Sequence, residues 1–97
     1  MSFVRAIHHV DPVAFKANPA PGATHIDLTK GEAIDLWYRC PCGCGAIRRL
    51  AISRAYAPPA GRIGWDGSLA NPTLSRPLEL PCGWRGRLSL GYWEGTK

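Results

Sequence analysis

Ninety-seven residues carrying nine prolines and eleven glycines leave room for one small domain of short pieces and exclude long helices. No stretch approaches the ~20 apolar residues of a membrane span, and residues 1–9 lack the apolar run and small-residue cleavage site of a secretory signal, so a reducing cytoplasm is the expected setting. The formal net charge of +5 is uneven: residues 39–97 hold nine bases, eight of them arginine, against three acids, whereas residues 1–38 hold three bases against four acids.

Taken in chain order, residues 3–10 carry a weak strand pattern. The segment 11–23, with its Asp-Pro, Asn-Pro and Pro-Gly steps, reads as a loop. A second weak strand covers 25–29. The clearest pattern is in 33–40, where Ile34, Leu36, Tyr38 and Cys40 alternate with Asp35, Trp37 and Arg39. The segment 46–53 alternates again, with Arg48, Leu50 and Ile52 opposed to Ile47, Arg49 and Ala51. Two such runs joined by a Gly-rich turn predict a hairpin with cysteines at its tip. Residues 57–61 read as loop, 62–65 as a weak strand, and Asp66-Gly67 as a turn. A last strand is expected over 87–93, with Leu88, Leu90 and Tyr92 on one face. No internal repeat is visible. The predicted fold is mostly β: a small antiparallel sheet with a zinc-ribbon-like cysteine hairpin and Pro/Gly-rich loops. It forms a single domain, 1–97, in which 1–32 is an N-terminal arm with strands and 33–97 the cysteine-rich part.

Three of the four cysteines fall in Cys40-Pro41-Cys42-Gly43-Cys44-Gly45, and the fourth, Cys82, stands in Leu80-Pro81-Cys82-Gly83-Trp84. Four soft thiolates suit the closed tetrahedral shell of structural Zn²⁺, so Cys40, Cys42, Cys44 and Cys82 are the candidate metal ligands. The one-residue spacing constrains that reading. Alternate residues of a straight strand lie ~6–7 Å apart, at ~3.3 Å per residue, which is too far for sulfurs sharing one ion. Pro41 and Gly43 must therefore bend the chain, or one cysteine stands outside the shell. Disulfides and buried free thiols are the other readings of the same residues.

Arg48, Arg49, Arg85 and Arg87 are candidates for contacts with nucleic-acid phosphates or for neutralising the metal–thiolate cluster. Zinc on four thiolates would bring the chain to about +3, which weakens the nucleic-acid case. His8, His9 and His25 have no zinc-finger spacing and read as surface or partly buried imidazoles. Trp37, Trp65, Trp84 and Trp93 read as packing residues. No Ser-His-Asp, paired-carboxylate or phosphate-loop pattern is present, and four cysteine ligands would leave no open metal position, so an enzyme is not expected.

Tyr38-Arg39-Cys40-Pro41-Cys42-Gly43-Cys44-Gly45, Gly64-Trp65-Asp66-Gly67, Asn71-Pro72-Thr73-Leu74-Ser75 and then Cys82 form an ordered pattern over roughly residues 36–93. In this the chain resembles a small cysteine-rich, zinc-ribbon-like family of uncharacterised bacterial and tailed-phage proteins. That family has histidine three residues after the last cysteine, where this chain has Arg85, so either the four cysteines complete the shell alone or the site is weakened or lost. The resemblance implies a phage or mobile-element origin, in host cytoplasm or virion, and supplies no activity. The expected function is a non-enzymatic, zinc-stabilised structural or protein-interaction module: a virion accessory subunit or a host-factor binder, with segment 11–23 as an arm that orders on a partner. The alternatives are a nucleic-acid-binding zinc ribbon and, third, a metal-dependent enzyme with one cysteine outside the shell.

Overall fold

Short alternating segments dominate the computed structural model, which describes residues 2–30, 33–53 and 63–96. Among these are eight strands and one helix: β1 (Ser2–Arg5), α1 (Pro12–Ala17), β2 (Thr24–Lys30), β3 (Ala33–Arg39), β4 (Ile47–Ser53), β5 (Ile63–Gly64), β6 (Leu78–Glu79), β7 (Arg85–Ser89) and β8 (Tyr92–Thr96). They form two four-stranded sheets, β1-β8-β7-β6 and β2-β3-β4-β5. All pairings are antiparallel except β4 with β5, which is parallel. The mostly-β expectation holds, with two sheets where one was expected. No helix among the described residues is long and apolar enough to cross a membrane.

The β3–β4 hairpin follows directly from the alternation. Ile34 pairs with Ile52, Leu36 with Leu50 and Tyr38 with Arg48, which puts the apolar members of both strands on one face. That face packs on the other sheet through Tyr38, whose ring lies 5.2 Å from that of Trp93 on β8. Trp84 meets Trp93 edge-on at 5.9 Å, and Ile26, Ile34, Leu36, Leu78 and Leu88 complete one buried cluster drawn from both sheets. Trp65, Trp84 and Trp93 are thus core residues as expected, while Trp37 is only partly covered and carries the Arg49 guanidinium 5.8 Å from its ring.

Three expectations are corrected. Segment 11–23 is not simply a loop. The Asp11 carboxylate accepts a hydrogen bond from the Val13 N–H at 3.0 Å, Pro12 opens the helix, and Phe15 anchors α1 by being buried. The Asp-Pro step that reads as a loop is here a helix start. Nor do residues 87–93 form one strand. Ser89 pairs with Tyr92, so Leu90 and Gly91, with φ of 51° and 82°, make a two-residue hairpin turn. Leu88 and Trp93 therefore share the buried face, and Leu90 and Tyr92 are exposed. The weak strand over 3–10 shortens to β1 plus a bridge from His8 to Thr24, because Ala6 and Ile7 turn the chain from one sheet to the other. The loop 57–61 and Arg62 lie outside the described residues.

The strands of the N-terminal third enter both sheets: β1 pairs with β8 and β2 with β3.

Candidate metal centre

Two hairpin tips meet at one end of the two sheets, and their local chemistry is the same. In Cys40-Pro41-Cys42-Gly43 the Gly43 N–H donates to the Cys40 carbonyl at 3.2 Å, and in Leu80-Pro81-Cys82-Gly83 the Gly83 N–H donates to the Leu80 carbonyl at 2.9 Å. Proline at the second position of a four-residue turn presets φ, and glycine at the fourth adopts φ of 90° in one tip and 93° in the other. Each tip is then closed across its base, Cys40 N–H to the Ala46 carbonyl and Leu80 N–H to the Trp84 carbonyl, both at 2.9 Å. The first tip joins β3 to β4 and the second joins β6 to β7. A Pro-Cys-Gly turn thus occurs twice in equivalent form, although no repeat is visible at the scale of whole elements.

The bend required by the one-residue spacing is present. All four sulfurs lie within 4.8 Å of one another. Cys40 Sγ is 3.2 Å from Cys42 Sγ and 3.1 Å from Cys82 Sγ, well beyond the ~2.0 Å of a disulfide, and all four cysteines are free thiols. Ligands at ~2.3 Å around a tetrahedral ion are separated by roughly 3.8 Å, so the cluster is of the size that one such ion spans. Cys44 joins it because the chain continues past Gly43 back toward the tip, and its N–H donates to Cys42 Sγ at 3.4 Å.

The four sulfurs are not equivalent. Cys40 is buried, and that burial pushes its thiol well above the usual range. Cys82 is pulled down to about 7, first by the Cys40 thiol pointing at it and then by the Trp84 backbone N–H. Cys44 is exposed and is also lowered, mainly by the Ala46 backbone N–H and then by Cys42. Two rim sulfurs are thus favoured as thiolates, Cys44 chiefly by a main-chain donor and Cys82 chiefly by the Cys40 thiol, while burial keeps the proton on the innermost one. Such N–H···S bonds are what a metal–thiolate shell draws on to spread its negative charge.

No protein-family model, curated protein or solved structure matches this chain.

The four arginines do not share one surface. Arg48 sits on the inner side of β4, lining with Tyr38, Leu80 and Pro81 a shallow groove beside the Cys82 turn, and its Nε is buried without a partner. Arg49, on the opposite face, lies 3.8 Å from Asp35 and over Trp37. Arg85 pairs with Glu79 at 3.1 Å, and Arg87 stands opposite Glu94 in the register of β7 and β8. The guanidinium that braces the cysteine loop is that of Arg39. It donates to the carbonyls of Gly45 at 3.0 Å, Asn18 at 2.8 Å and Lys16 at 3.1 Å, tying the loop to the end of α1. Its position directly before Cys40 is the only sequence signal of that role. His8, His9 and His25 gather near α1, outside the sulfur cluster.

Proposed function

We propose that this chain is a non-catalytic, zinc-stabilised interaction module in which one metal ion locks the tips of two hairpins, one from each sheet. The convergence of four sulfurs, with Cys40 and Cys82 42 residues apart in sequence, is the observation that carries this reading. An all-thiolate donor set favours zinc over hard cations, and four protein ligands leave no coordination position for a substrate or water. For the interaction role, the support is exposed apolar surface: Phe3 on β1, and Leu90 and Tyr92 at the β7–β8 turn, are large apolar side chains left uncovered on a small domain. Taken with the resemblance to the bacterial and tailed-phage family, a virion accessory subunit or a host-factor binder is the favoured role.

Native mass spectrometry tests the metal directly. One zinc per chain is expected, removed by chelator and lost in Cys82→Ser. Metal-free protein that keeps its full thermal stability would refute the reading. Co-purification with particles or with a host protein would test the partner, and its loss in Phe3→Asp together with Tyr92→Asp would locate the surface.

A further inference from the structure

A cleft of about 530 Å³ opens between α1, β2 and Trp37 of β3, lined by none of the four cysteines. Its size is within the range of small-molecule sites, and like them it combines apolar walls with few polar groups. We propose that it binds a small planar aromatic carboxylate that also carries a ring N–H or O–H.

The walls are Phe15, Ile26, Leu28 and Trp37, which offer two aromatic rings to a flat apolar body. Lys16, in the last turn of α1, supplies the charge, and no described residue pairs with its ammonium. Asp27 also lines the cleft and keeps its charge, but the Thr29 N–H at 2.9 Å and hydroxyl at 2.6 Å hold its carboxylate against its own strand, and it makes no ion pair with Lys16. The cleft therefore presents an ammonium with no carboxylate partner among the described residues beside aromatic walls, and the carboxylate of an aromatic ligand would pair with it.

The donor requirement comes from a chain of hydrogen bonds. The Ala20 N–H donates to Asn18 Oδ1 at 2.9 Å, which fixes the amide so that Asn18 Nδ2 donates to His9 Nε2 at 2.8 Å. The His9 carbonyl in turn accepts from His25 Nδ1 at 2.9 Å, so His25 carries its proton on Nδ1 and leaves Nε2 as an acceptor. His8 adds a second nitrogen, Nδ1, that is buried without a partner. Both histidines line the cleft, and a ligand N–H or O–H satisfies His25 Nε2, whereas His8 Nδ1 has no surface open to the cleft.

A ¹H–¹⁵N titration of the zinc-loaded protein with indole-3-acetate tests the proposal. Saturable, one-to-one shifts are expected at His8, Phe15, Lys16, His25 and the Trp37 indole, with the amides of Cys42, Cys44 and Cys82 unmoved. Indole-3-acetamide, which lacks the charge, should bind at least tenfold more weakly, as should indole-3-acetate to Lys16→Gln. Naphthalene-1-acetate, which lacks the ring N–H, should bind several-fold more weakly. Shifts that never saturate at millimolar probe, shifts centred elsewhere, or equal affinities across the three probes would overturn the proposal. Because the readout is residue by residue, none of these outcomes depends on the role assigned to the metal.

Discussion

His8 shows how position alone sets pH behaviour. Desolvation holds its pKa below the usual value, and the nearby His25 and His9 lower it further. The folded state therefore favours neutral imidazole, whereas the unfolded chain takes up a proton near the ordinary pKa of ~6.5. The contribution to stability is complete above that ordinary value and is lost as pH falls below it, through the depressed folded value. Thermal melts of zinc-loaded protein should thus drop between pH 7 and pH 5, and His8→Gln should show a smaller drop over the same interval. Acid release of metal is common to both proteins, so the difference between them isolates the imidazole. A second residue-scale test concerns Gly95, where an added Cβ would run into the Trp84 indole and the Arg85 carbonyl. Trp84 follows the Cys82 turn by one residue, so its displacement disturbs the second hairpin tip. Gly95→Ala should cost about 1–3 kcal/mol by overpacking, read from denaturant midpoints.

Among the elements, α1 is held by little of its own. Six residues are far below the length at which a helix is stable alone, so the Asp11 cap and the burial of Phe15 must carry it. Asp11→Ala should cost roughly 0.5–2 kcal/mol and raise amide exchange in 13–17 before it alters exchange in β3 or β4. How far each element is legible in the sequence follows its length and its turn chemistry. The β3–β4 hairpin is readable because seven-residue strands alternate cleanly and the Cys-Pro-Cys-Gly turn stands between them. The second hairpin tip is not, because β6 is two residues, Leu78–Glu79, shut between Pro77 and Pro81 and too short to show any period. The β7–β8 turn is hidden for a different reason. Leu90 takes a left-handed conformation that its side chain disfavours, in a place where Asn or Gly would have announced a turn. Of the candidate site, the four cysteines are visible as residue types. The match between the Cys42 and Cys82 turns, and the bracing by Arg39, exist only once both hairpins are folded.

At the scale of the molecule, the sulfur cluster and the charge distribution lead to separate expectations. A structural zinc site contributes roughly 10–16 kcal/mol of apparent binding free energy, and small domains are stable by only about 5–15 kcal/mol in total. Chelation should therefore abolish the near-ultraviolet circular dichroism of the buried tryptophans, and added zinc should restore it. The formal charge of +5 invites binding to nucleic acid, but the four candidate arginines do not form one patch. Arg49 is engaged by Asp35 and Trp37, Arg85 by Glu79, Arg87 faces Glu94, and Arg48 lies on the inner side of β4. Each phosphate neutralised contributes about −0.9 to the slope of log affinity against log salt, and with three of these four arginines already beside an acidic residue they gather few phosphates. Fluorescence anisotropy with a labelled duplex and with a labelled single strand should give weak binding and a slope shallower than about −2. A slope steeper than about −4 would instead mean that more than about four phosphates are neutralised, so that Arg85 and Arg87 leave their acidic neighbours and act together with further bases, and Glu79→Gln with Glu94→Gln should then tighten binding further.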